Sequence, residues 1–213
     1  LPLGAARSLL LDPGNSIRLF AVDGHAGDRL ELDFESLAGG MASVQIIAAD
    51  DPRRLLSAAA VAASPIGITL ERDGAHLLIV VGRGDSDLPL TLNYSATLAT
   101  PRVSPLPIGD EARGRTQVTG LADEWRFSLD RPTRLLVDGL TGAGNRWTLR
   151  GADRSPISSG SCDGNTLLVL DAGAYTLAVQ ADRPDELGAY AFRLLDFATA
   201  TTLPLDQQSF GTL

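Results

Sequence analysis

Apolar residues recur at every second position through most of the chain, the period of a β-strand with one buried face. Leu30, Leu32 and Phe34 alternate with Arg29, Glu31 and Asp33, and Trp125, Phe127 and Leu129 with Glu124, Arg126 and Ser128. Tyr175, Leu177 and Val179 stand against Thr176 and Gln180, and Tyr190, Phe192 and Leu194 against Ala191 and Arg193. Turn formers separate these runs: Asp12-Pro13-Gly14-Asn15, Asp23 to Asp28, Ser161 to Asn165, and Ala181 to Asp185. Short strands at intervals of about 8–12 residues predict an all-β chain of the two-sheet sandwich or jelly-roll kind. Pro52 to Ala63 is open to two readings, since its alanine run fits a helix or a small-residue strand where sheets pack closely.

The chain also repeats itself. Leu1-Pro2-Leu3-Gly4 returns as Leu106-Pro107-Ile108-Gly109 and again as Leu203-Pro204-Leu205-Asp206. Segments downstream correspond as well: Arg29-Leu30-Glu31-Leu32-Asp33 with Arg134-Leu135-Leu136-Val137-Asp138, and Asp73-Gly74-Ala75-His76-Leu77 with Ala172-Gly173-Ala174-Tyr175-Thr176. A period of about a hundred residues in a chain of 213 predicts two tandem β-sandwich domains of about eight strands each. Residues 1–102 form the first, 103–202 the second, and 203–213 the first strand of a further repeat or a tail.

Trp125-Arg126-Phe127, Ala26-Gly27-Asp28-Arg29-Leu30-Glu31-Leu32, Ala172-Gly173-Ala174-Tyr175-Thr176-Leu177-Ala178-Val179 and Gly188-Ala189-Tyr190-Ala191-Phe192-Arg193-Leu194 form a series of motifs drawn from the two units. That series resembles the bacterial pre-peptidase C-terminal domains and the related tandem β-sandwich repeats of large secreted or cell-surface proteins. The first unit departs from the pattern, with Leu19-Phe20 for the aromatic pair, His76 for the tyrosine and Pro89-Leu90-Thr91 for the closing Gly-x-Tyr. The resemblance implies a non-catalytic, extracellular or cell-surface module serving as spacer and interaction domain. Its partners would be neighbouring repeats of the same chain and a glycan or extracellular protein. The alternative is an accessory binding module for carbohydrate or matrix protein, calcium-dependent in some relatives, attached to a secreted enzyme.

Charge narrows the partners. All 18 basic residues are arginine, against 20 aspartates and 6 glutamates, for a net charge of −8. Nucleic acid needs clustered Lys/Arg, whereas these arginines are scattered singly along the sequence. With no lysine there is no Schiff-base chemistry, phosphate-loop lysine or isopeptide staple. The single Cys162 excludes an internal disulfide. Apolar stretches such as Leu77–Val81 fall far short of the roughly 20 residues of a membrane helix. Residue 1 begins no signal peptide, so a secretion signal is expected outside this sequence.

Catalytic candidates are few. His76 occupies the strand position of Tyr175 in the other unit, a packing role, and His25 lies in a turn. There is no zinc spacing, Gly-x-Ser-x-Gly elbow or His-Glu-x-x-His. The acidic loops containing Asp50-Asp51, Asp85/Asp87 and Asp182/Asp185/Glu186 occur in both units, which favours solubility over one active site. Loop aspartates are natural calcium ligands, so Asp85, Asp87, Asp182 and Asp185 are the candidate metal residues, although no Asp-x-Asp-x-Asp-Gly loop is present. No other cofactor is expected. Arg83-Gly84-Asp85 reads as a chance match to an attachment tripeptide, and Cys162, in a polar turn without a neighbouring histidine, as an inert thiol. Gly139–Gly144 lacks the lysine of a phosphate cradle. Most aromatics fall on the apolar side of their strands. Trp147, between Arg146 and Thr148 at the expected sheet rim, is the candidate ligand-binding aromatic.

Overall fold

The computed structural model describes residues 3–48, 51–84 and 87–201. They divide into two compact units, one of the residues up to Arg102 with Gly120–Ala122, the other of Val103–Thr119 and the residues from Asp123 onward. Among the described residues every regular element is a strand or a single 3-10 turn.

The first unit contains β1 (Gly4–Leu11), β2 (Ile17–Gly24), β3 (Arg29–Ala38), β4 (Gly40–Ala48), β5 (Asp51–Ala60), β6 (Ile66–Thr69), β7 (Gly74–Gly84) and β8 (Leu90–Ala99). They form two four-stranded sheets in the orders β1-β8-β3-β6 and β2-β7-β4-β5. The alternation sorts the side chains as expected: Leu30, Leu32, Val44, Ile46, Leu78, Val80, Leu90 and Leu92 are buried in one core. The alanine run is strand β5, followed by a 3-10 turn over Val61–Ala63. It pairs with β4 alone, Ser43 opposite Ala60 and Gln45 opposite Ala58, so it is an edge strand. Pro52 near its start and two register shifts against β4 are common at such an edge.

The second unit contains β9 (Arg102–Pro105), β10 (Glu111–Arg115), β11 (Asp123–Leu129), β12 (Thr133–Thr141), β13 (Asn145–Arg150), β14 (Pro156–Ser161), β15 (Thr166–Leu170), β16 (Gly173–Ala181) and β17 (Ala189–Asp196). Its sheets run β10-β17-β12-β15 and β14-β13-β16-β11-β9. Counted from β1 and from β10, the two units have the same strand orders, 1-8-3-6 and 2-7-4-5, with β9 added beside β11. That interleaving of non-consecutive strands is jelly-roll topology.

Register aligns the units residue by residue. Val22 pairs with His76 and Phe127 with Tyr175, each partner two residues after a strand-opening glycine, Gly74 or Gly173. Leu30 lies between Ile68 and Leu98, and Leu135 between Leu168 and Asp196. Carried along β8 and β17, this places Tyr94 at the position of Phe192, and Leu90-Thr91-Leu92 at that of Gly188-Ala189-Tyr190, one residue on from the sequence alignment. Gly4 and Gly109, which end the recurrent tetrapeptides, share left-handed φ values of 101° and 96°, a conformation that favours glycine. The third copy, Leu203 to Asp206, lies outside the described residues.

Candidate functional site

The β13-β16-β11 portion of the second unit's larger sheet carries the candidate site on its outward face. Register sets Arg126, Thr176 and Arg150 in one row across the three strands, and Glu124, Ala178 and Thr148 in the next. The β13–β14 connection folds back beside these rows. Arg154 N donates to Gly151 O at 3.0 Å and Gly151 N to Ser155 O at 3.1 Å. Asp153 accepts from both the Ser155 amide, at 3.0 Å, and its hydroxyl, at 2.8 Å. These bonds from Ser155, the hydroxyl foremost, hold the Asp153 carboxyl below the usual carboxylate range. Within this turn Arg154 adopts φ +63°, the one positive value at a non-glycine position among the described residues.

The turn directs a second guanidinium towards Glu124. Arg126 Nη2 donates to Glu124 Oε2 at 3.0 Å, and Arg154 Nη1 lies 3.9 Å from Oε1. Alternation predicts an exposed glutamate at this position, yet Glu124 is only 4% exposed while both arginines remain about half exposed. Beside them opens a cleft of about 500 Å³. Arg126, Ser128, Thr176, Gly151 and Arg154 line it, while Phe127 and Tyr175, stacked 5.4 Å apart between centroids, turn their rings into the core on the other side of the sheet. Two arginines far apart in the sequence are thus gathered around one carboxylate. Arginine and serine at outward positions were legible from period two; the arrival of Arg154 depends on a left-handed turn with no glycine to announce it.

The expected ligand aromatic is a correction. Trp147 is fully buried, its Nε1 donating to Ser161 O at 3.1 Å, and it offers no surface to a ligand. Asn145-x-Trp147-x-Leu149 already sets it on the buried side of β13. Opposite it in register is Gly160, where an added Cβ would come within 2.6 Å of the indole. Cys162 is likewise a core residue rather than part of a solvated turn. Burial, with a smaller contribution from Asp163, pushes its thiol up to about 12.

Of the metal candidates, Asp85 lies outside the described residues, and with it the end of Arg83-Gly84-Asp85. Asp87 precedes β8. Asp182 accepts from Gln180 Nε2 at 2.8 Å, and Asp185 lies 3.9 Å from Arg183. Among the described residues no three His, Cys, Asp or Glu side chains converge as metal ligands. His76 is buried on β7, between Val22 of β2 and Ala48 of β4 in the same sheet, its Nδ1 3.0 Å from Gly74 O. His25 is exposed in the turn that Asp28 closes by accepting from His25 N at 2.8 Å.

The corresponding face of the first unit has a different chemistry. Its rows read Ile17, Val81, Ser43, Ala60; Leu19, Ile79, Gln45, Ala58; and Ala21, Leu77, Ile47, Leu55. Ile17, Leu19, Met41 and Leu55 are each more than half exposed. The same strand arrangement therefore presents an apolar face in one unit and a cationic, hydroxyl-bearing face in the other.

No protein-family model and no curated protein matches the chain. Among solved structures it is similar to the pre-peptidase C-terminal domain of collagenase from Bacillus anthracis, at 16% identity and TM-score 0.37, over 44% of this chain and 95% of that one. It is also similar to the CUB1-EGF-CUB2 region of human MASP-1/3, at 6% identity and TM-score 0.27, over 89% of this chain and 99% of that one. Tripeptidyl peptidase 2 follows at 11% identity and TM-score 0.32, over 87% of this chain and 22% of that one.

Proposed function

We propose that this chain is a non-catalytic pair of tandem jelly-roll repeats from an extracellular or cell-surface bacterial protein, acting as spacer and interaction module. The observation that carries the reading is the shared strand order of the two units, with register-matched positions that include His76 and Tyr175. A repeated architecture whose corresponding sheet faces differ in chemistry suits a module that is copied for span and then individualised for contact. Nucleophile candidates point the same way: Cys162 is buried in the core with a raised thiol pKa, and His76 is buried within its sheet.

The reading is tested by presenting the full chain to immobilised glycans and matrix proteins, with and without calcium, alongside peptidase and glycosidase substrates. Saturable binding without turnover is the expected result. Turnover that survives purification and is lost on substitution of Glu124 or His76 would make the protein an enzyme and overturn the proposal.

A further inference from the structure

We infer that the outward face of the β2-β7-β4-β5 sheet binds a second copy of this chain, face to face about a two-fold axis. This rests on the interaction-module reading and names a partner for its first unit. A sheet with one solvated side alternates apolar with polar residues, and the other sheet of this unit does so: Glu31, Asp33, Asn93, Ser95 and Thr97 lie on its outward side. The β2-β7-β4-β5 sheet is apolar on both sides, as in the unbroken run Leu77-Leu78-Ile79-Val80-Val81 of β7. Continuous apolar strands belong to sheets that are covered on both faces. The core covers the inner side of this one, while ten of its twelve outward row positions are apolar and the other two are the neutral Ser43 and Gln45.

An isologous contact requires a patch that fits itself. A two-fold axis laid across the strands along the middle row, Leu19-Ile79-Gln45-Ala58, brings each flanking row over the opposite flanking row of the partner. Bulk then meets space: Leu55 falls over Ala60, Ile47 over Ser43 and Ile17 over Ala21, with Leu77 over Val81. Residues of the middle row meet their own copies, and two facing Gln45 amides can each donate and accept. Asp23 of β2 stands beyond the rows at one end of the face and Arg83 of β7 at the other, so the same axis sets opposite charges together at both rims.

Size and charge agree with that occupant. Strand spacing and rise give the face a footprint of roughly 20 by 25 Å, at the upper end of the contiguous apolar surface that a monomer ordinarily exposes. With the relief of its side chains it approaches the roughly 800 Å² per partner of a standard interface. Ile17, Leu19, Met41 and Leu55, each more than half exposed, supply the largest gain on covering it. A net charge of −8 on each chain opposes self-contact elsewhere on the surface, whereas the three rows carry none of that charge. The natural complement of a flat aliphatic sheet face is another one, packed about 10 Å away as in a sandwich.

The test is sedimentation velocity of the full chain. A dimer is expected at about 100 μM, dissociating to folded monomer near about 1 μM. Gln45→Glu and Gln45→Lys should each raise the dissociation constant at least tenfold, because each new charge meets its own copy across the axis. An equimolar mixture of the two should recover the dimer, since a carboxylate then faces an ammonium. Leu19→Thr, which removes apolar surface without adding charge, should also weaken association, and Thr97→Lys, on the outward side of the other sheet, should leave it intact. All of these chains should melt with the parent at about 1 μM, where each is a monomer, which separates lost contact from lost fold. A parent that is monomeric at about 100 μM, undiminished association in both Gln45 variants, a mixture no more associated than either variant alone, or loss of the dimer in Thr97→Lys would each overturn the proposal. Any of these would leave the module reading standing, since that falls on turnover instead.

Discussion

Trp147 and Gly160 show how a side chain is placed by what faces it. The indole lies over a glycine on the edge strand β14, a pairing that fills the gap left by a missing side chain. Trp147→Ala should cost about 3–5 kcal/mol and Gly160→Ala about 1–3 kcal/mol from overpacking, both read from urea denaturation. Tyr190 is placed by polar contacts: it accepts from Trp125 Nε1 at 2.9 Å and donates to Asp123 at 2.6 Å. Tyr190→Phe removes both bonds and keeps the ring, so a loss of about 1–3 kcal/mol is expected. The Cys162 thiol, pushed up to about 12 by burial, should resist a thiol-reactive disulfide at pH 8 in the native protein and react within minutes in 6 M guanidinium. Prompt labelling of the native form would contradict its burial. Asp153, bonded by Ser155, and Glu186, bonded by Arg183, both have lowered carboxyl pKa values. A carboxyl that ionises more readily when folded stabilises the fold above its unfolded pKa and loses that contribution as pH falls through the folded value. Each should therefore titrate below the ordinary value for its own residue type in a carbon-detected NMR pH series.

At the level of elements, period two identified most strands and the buried side of each, because burial on one face leaves a signal every second residue. It misassigned two features for definite reasons. Glu124 sits on the outward side of β11 and is nonetheless buried, since two arginines close over it, one of them from another element. The alanine run of β5 has no contrast between its faces, and only its ladder with β4 settles it as a strand. The candidate cleft was legible in half: Arg126 and Ser128 follow from alternation, whereas Arg154 depends on the geometry of a turn. The outward rows of β2, β4, β5 and β7 give a contrasting prediction. Leu19 is 60% exposed, so Leu19→Thr should change stability by no more than about 0.5 kcal/mol. Leu78→Ala, on the buried side of the same sheet, should cost about 2–5 kcal/mol.

For the molecule as a whole, the recurrent tetrapeptide carried more information than its length suggests. Gly4 and Gly109 share a backbone conformation at the entrance to corresponding strands, so the repetition records a common geometric need. The two units keep one strand order while their residues diverge, His76 for Tyr175 and an apolar face for a cationic one. Strand order survives such change because it is fixed by which faces are buried, and outward residues are free to vary around it. Pulling the full chain by its ends in an optical trap tests this account most directly. Two separate unfolding steps are predicted, each releasing close to 350 Å of chain, at about 3.6 Å for each of roughly a hundred residues. A single cooperative step of about twice that length would contradict it.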